Sequence, residues 1–225
     1  MTARADSPAT SPLIELVNAA IAPAHSPATP LVRDVNWRLH AGDFWVIGGL
    51  HWAGKTDWLM TVAGLQRPAA GEHRLFGAAT ESLAQPDLIA ARRRVGLVFE
   101  HGGRLFPRLT VAENLALPLC YHENCAGEDV SEWVAALLDF TGTTELAAQP
   151  AGALNRSWQQ RVALARALGL RPEVLLLDNP LAGLDPRQSR WWQDALAALN
   201  AGRAPLAPLA VVVTTDDLRG WRAPQ

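Results

Sequence analysis

The chain has 225 residues, 49% of them hydrophobic and 19% charged, with a net charge of −2. That length buries a substantial core in one large domain, with or without a subdomain. The charge is near neutral with no basic face, which argues against a nucleic-acid partner, and runs such as Val174–Leu177 and Leu209–Val213 are too short to span a bilayer.

Residues 1–12 are rich in Ser, Pro, Ala and Thr and are expected to be a disordered tail, with a single domain from 13 to 225. The N-terminus lacks the charged-then-apolar layout of a secretion signal, so a cytoplasmic chain is expected. Residues 23–30 form a Pro-rich loop between two early strands. Residues 31–47 alternate polar and apolar and end in Phe44-Trp45-Val46-Ile47, expected as a buried strand. Gly49-Leu50-His51-Trp52-Ala53-Gly54-Lys55-Thr56 follows and fits the phosphate-loop pattern G-x-x-x-x-G-K-[ST]. A helix from about Thr56 to Ala63 completes the strand–loop–helix context that the pattern needs.

Arg92-Arg93-Arg94 forms a solvated entry to a strand over 94–99. A helical section follows, with helices at about Val111–Leu119 and Ser131–Asp139 and another beginning near Ser157. Cys120 and Cys125 flank His122, but nothing completes a four-ligand metal set, so two free thiols are expected. Val174–Leu177 is a short apolar strand ending in Asp178. A helix over Pro186–Asn200 carries Trp191-Trp192, which belong to the core or to a partner contact. Leu209–Thr214 is the last strand. This alternation predicts an α/β fold with a parallel sheet and a helical insert. Ligands on such sheets sit at the carboxyl ends of the strands. Lys55, Glu100, Asp178 and Thr215 all follow predicted strands and so can converge.

Lys55 is the only lysine; the other nineteen basic residues are arginine. A compact ammonium on a thin stem reaches over phosphates held by loop amides, where a planar guanidinium fork fits poorly. The exchange of every other lysine for arginine makes this position more telling than the pattern alone.

From about Leu13 to Leu218 the chain resembles an ATP-binding cassette (ABC) transporter ATPase. The most specific residues are Gln159-Gln160-Arg161-Val162-Ala163-Leu164-Ala165-Arg166-Ala167-Leu168, then Leu175-Leu176-Leu177-Asp178, then Gly183-Leu184-Asp185-Pro186. These runs argue against a P-loop kinase or GTPase. Leu105–Asn114 with Leu117-Pro118-Leu119 is most similar to the branch that powers Mce- or Mla-type phospholipid transport. The resemblance implies a P-loop NTPase (RecA-like) core with an antiparallel β edge and a helical subdomain over about 101–170. It implies ATP and Mg²⁺ as cofactors, a membrane permease received by the helical lobe and the Glu100 loop, and a second cassette, identical or not. The chain would then sit peripherally on the inner face of the membrane. Nucleotide in this family is sandwiched between the phosphate loop of one cassette and the L-S-G-G-Q signature of the other.

Measured against that family, Lys55 and Thr56 are intact, with Thr56 and Asp178 implied as metal groups. Other positions depart. Trp52 replaces a glycine that a tight anion nest favours. Asp57 replaces a hydroxyl residue; facing phosphate at about 4 Å it would be repelled by on the order of 4 kcal/mol, unless it turns to solvent or pairs with an arginine. Asn179 replaces the catalytic glutamate and cannot accept a proton, Glu100 replaces a glutamine and is a possible metal ligand, and Thr215 replaces the switch histidine. The signature reads Leu154-Asn155-Arg156-Ser157-Trp158, without its glycines. No aromatic between Val17 and Leu31 offers a stack for adenine. Only ten residues follow Thr215, fewer than the family usually has, so a thinner core edge is expected. Because the catalytic set and the signature both fail, slow or absent hydrolysis is expected in any pairing. A nucleotide-binding pseudoenzyme that regulates or scaffolds a complex is the companion reading.

Overall fold

A computed structural model describes residues 11–100, 104–123, 130–203 and 205–221. Most of the expected N-terminal tail and Cys125 lie outside those residues; Cys120 is a free thiol. Among the described residues no group of His, Cys, Asp and Glu forms a metal cluster, and no helix is long and apolar enough to cross a membrane.

Two sheets make the frame. The first is antiparallel, in the order β2-β1-β4-β5, from β1 (Ile14–Ile21), β2 (Val32–Leu39), β4 (Ala70–Leu75) and β5 (Ala78–Ala79). The second is parallel, in the order β3-β8-β7-β6, from β3 (Phe44–Gly48), β6 (Val95–Val98), β7 (Val174–Asp178) and β8 (Ala210–Thr215). The central strands β7 and β8 are buried along their whole length, which is why their sequences are continuous apolar runs. Their pleat alternates between two cores. Val174, Leu176, Ala210 and Val212 face the antiparallel sheet and α1 (Lys55–Val62). Leu175, Leu177, Val211 and Val213 face the helical side, with α3 (Val111–Glu123), α4 (Ser131–Thr141), α5 (Arg156–Leu168) and α6 (Pro186–Asn200). Trp192, left open between core and partner contact, is a core residue, and its neighbour Trp191 lies under the Arg161 guanidinium at 3.7 Å.

Two features differ from what the sequence led one to expect. The strand before the phosphate loop is not buried: β3 is an edge strand, and Trp45 keeps 42% of its surface exposed because no strand among the described residues covers that side. The arginine triplet is not simply a strand entry. Arg92 and Arg93 close the last turn of α2 (Gln85–Arg93), where positive charge complements the helix dipole. Arg94 makes a two-bond pair with Glu173, at 2.6 and 2.9 Å.

His73 on β4 sits buried with its Nδ1 3.3 Å from the Thr80 hydroxyl. Burial pushes its pKa down to about 4, with a smaller opposing pull from the Val62 backbone and a further push from Arg92. The folded state therefore binds fewer protons than the unfolded one between about pH 4 and 6.5, and stability falls as pH drops through that window. A fall of roughly 3 kcal/mol is expected across it. Urea unfolding of the parent and His73→Gln at pH 7 and 4.5 tests this; the variant should lose most of the dependence, and equal slopes in both would contradict it.

Candidate functional site

The phosphate loop connects β3 to α1 and is stitched to the neighbouring strand by the Gly49 amide, which donates to the Thr215 carbonyl at 3.1 Å. Its curl needs left-handed backbone at two points, Trp52 (φ 66) and Gly54 (φ 82). A non-glycine residue at such a φ costs about 1–2 kcal/mol. The Trp52 indole stays out of the loop's hollow: the residue is 89% exposed. Lys55 folds back into the curl. Its ammonium donates to the Gly49 carbonyl at 2.9 Å and the Leu50 carbonyl at 2.7 Å, and pairs with Asp216 Oδ1 at 2.6 Å.

The carboxyl ends of β7 and β8 bring the remaining groups. Asp178 accepts from the Thr56 hydroxyl at 2.6 Å through Oδ2 and from the Thr214 hydroxyl at 2.8 Å through Oδ1. A threonine hydroxyl and a buried carboxylate already sharing one proton bridge supply the hard oxygen donors that Mg²⁺ takes, so this pair fits that ion. Asn179, in left-handed backbone (φ 45), donates its amide to Asp216 Oδ2 at 3.0 Å. His51 Nδ1 lies 3.3 Å from the same oxygen. The Lys55 hydrogen bond, then His51, holds the Asp216 carboxyl below the usual carboxylate range against the opposing effect of burial.

Not every candidate joins this cluster. Thr215 is buried and turned onto its own loop, donating to the Asp217 carbonyl and accepting from the Asp217 amide, both at 3.1 Å. Glu100, beyond β6, lies 3.6 Å from Arg156. Asn155 caps α5, accepting from the Trp158 amide at 3.2 Å and the Ser157 hydroxyl at 3.0 Å. Among the described residues no hydrogen bond or ion pair joins Asn155–Trp158 to the phosphate loop. Asp57 makes no ion pair among the described residues; it stands in the first turn of α1, where a negative charge suits the helix dipole.

Beside the loop a cavity of about 520 Å³ is lined by Trp37, Trp45 and Trp58 together with Gly49, Gly54 and Lys55. These indoles lie outside the Val17–Leu31 window searched for an aromatic, because β2, β3 and α1 bring them together from three elements. Asp216 is the other residue that sequence reasoning missed. Its signal was present: a carboxylate one residue past a buried strand that pairs with the strand feeding the phosphate loop.

The ABC transporter family model matches residues 32–182. The chain belongs to the ABC transporter family. Among curated ABC relatives, the methionine import ATP-binding protein MetN of Mannheimia succiniciproducens is 39% identical over 167 residues, 74% of this chain and 48% of that protein. The MetN of Mesorhizobium japonicum is 35% identical over 162 residues, 72% of this chain and 44% of that protein. The chain thus spans about half the length of these relatives. Two dimeric structures of the cassette MJ0796, one in a post-hydrolysis state with ADP and phosphate, superpose with TM-scores of 0.80 and 0.81. They share 28% and 29% identity and cover 92% of this chain and 89% of theirs. The ABC cassette fold, a P-loop NTPase core with an antiparallel β sheet and a helical lobe, is as the sequence implied.

Proposed function

We propose that this chain is the ATP-binding subunit of an ABC transporter that holds ATP and Mg²⁺ at the 49–56 loop and hydrolyses it slowly or not at all. The observation that carries this reading is the donor cluster of Lys55, His51 and Asn179 around one anion position, with no proton acceptor at residue 179 and a threonine tied to its own loop at 215. Thr56 and Asp178 would hold Mg²⁺, which when bound neutralises phosphate charge. Lys55 binds and orients the phosphates. The Asn179 amide can hold a water or a phosphate oxygen but cannot take the proton that hydrolysis releases. The exposed indole of Trp45 offers the nucleobase a stacking face.

The partners in this proposal are a second cassette and a membrane permease, with the chain on the cytoplasmic side. The solved neighbours being dimers supports the first. Phe106 and Leu117, exposed on the helical lobe, suit the apolar surface of the second. Cargo is chosen by the permease: the curated relatives import methionine, whereas Leu105–Leu119 resembles the phospholipid branch. Uptake by vesicles holding the co-purified permease, supplied with methionine or with phospholipid, separates these cargoes. The companion reading, a non-hydrolysing scaffold of a membrane complex, is favoured by Arg156 at a signature position pairing with Glu100.

Phosphate release by the purified protein, alone and with its partner cassette, tests the chemistry. Loss of a general base alone costs roughly 10²–10⁴ in rate, so release at least about a hundredfold below an intact cassette is expected. Ordinary turnover that disappears in Lys55→Ala would sink the proposal.

A further inference from the structure

An ammonium has three N–H donors. The fold uses all three of those on Lys55, giving two to the carbonyls of Gly49 and Leu50 and the third to Asp216 Oδ1. The first two shape the loop. The third holds a carboxylate that belongs to the far side of the site, on the segment after β8. The other oxygen of that carboxylate takes the Asn179 amide at 3.0 Å and stands 3.3 Å from His51 Nδ1. An ammonium, an amide and an imidazole, carried by α1, the end of β7 and the phosphate loop, are thus aimed at one small anion.

We propose that Asp216 is a resident anion standing where the terminal phosphate of the nucleotide belongs, and that ATP binds by displacing it. The inference rests on the nucleotide-site reading above and adds the competitor. A phosphate oxygen needs the Lys55 donor that Asp216 holds, since the other two are committed to the loop. Two anions cannot share that ammonium without repulsion. The way out is open. Asp216 is 35% exposed, so its carboxylate can swing into water, while its neighbour Asp217 stays anchored by Arg219 at 2.9 Å and by the Thr215 hydroxyl. Once Asp216 has left, Asn179 and His51 face the phosphate as donors. Their place in the site is to bind, which accounts for an amide at a position where the family carries a base.

Asp216→Asn keeps the size and removes the charge. Calorimetric titration with ATP, with and without Mg²⁺, should give a Kd about tenfold lower than that of the parent, the scale of one charge-assisted hydrogen bond no longer being broken. Because Lys55 is the sole lysine, a brief pulse of a small amine-acylating reagent reports on the pair directly, with the N-terminal amine as internal reference. Acylation of Lys55, read by mass spectrometry, should rise several-fold in Asp216→Asn and fall again with ATP. Equal or weaker ATP binding by the variant overturns the inference, as does unchanged labelling. If neither protein binds ATP, the nucleotide reading fails, and the labelling still decides whether Asp216 shields Lys55. Asp216→Ser replaces the asparagine variant if melting shows that the latter folds poorly.

Discussion

Lys55→Ala is expected to weaken ATP binding by about a hundredfold or more. A hydrogen bond to a charged group contributes about 1.5–3 kcal/mol, and 1.4 kcal/mol is a factor of ten in affinity. The loss is larger than the missing contact. The loop also loses the two bonds that close it on Gly49 and Leu50. Lys55→Arg should fail as well, since a planar fork cannot satisfy two loop carbonyls and a phosphate from one point. The two sites are in direct contact, so their effects will not add. In the Asp216→Asn background, Lys55→Ala should cost more than in the parent, because there the ammonium meets phosphate without first giving up its pair with residue 216. Calorimetry on the four proteins measures this. Affinity of Lys55→Ala within a few-fold of the parent would mean that nucleotide, if bound at all, is held elsewhere.

What the sequence showed and what it hid follow from the same physics. The bounds of α6 were legible to the residue, because Asp185 caps the helix by accepting from the Gln188 amide at 2.8 Å and Pro186 starts it. The strands β7 and β8 were legible because both faces are buried. By contrast α2 and β4 are short and largely exposed, β5 has only two half-buried residues, and their apolar residues mark no clear period. The exposure of Trp45 depends on which strand ends the sheet, and no local pattern carries that.

Within the site, Lys55, Thr56, Asp178 and Asn179 were legible position by position, and the structure brings all four to one place. Thr215 holds the more conspicuous position along the chain, yet its hydroxyl is spent on its own loop. Asp216 matters through partners far off in sequence, His51 being 165 positions away. A motif read along the chain cannot show which carboxylate will meet which ammonium across a sheet edge. Trp52 stands where a tight anion nest favours glycine. Left-handed backbone at that residue instead turns the indole outward, so the loop keeps its curl without glycine.

Trp192→Ala should destabilise the fold by about 3–5 kcal/mol, the range for deleting a large buried aromatic ring. The side chain is 1% exposed and packs in the core that α6 shares with Leu164, Leu196 and Val211. At roughly 2–4 °C per kcal/mol for a domain of this size, the melting temperature should fall by about 10 °C. Trp192→Phe separates ring volume from the polar edge. Among the described residues the buried Trp192 Nε1 has no hydrogen-bond partner, so phenylalanine removes an unsatisfied donor while keeping most of the packing, and should cost less than half as much. The site is reached only indirectly. Trp192 sits one residue from Trp191, which stacks on Arg161 of α5, while the phosphate loop is held from the other face of the sheet. ATP affinity per folded molecule should therefore be nearly unchanged in Trp192→Ala at 10 °C. A variant that melts within about 2 °C of the parent would show that the core on the helical side is not organised around this ring. One that stays folded but loses nucleotide would show that the two faces of the sheet are coupled.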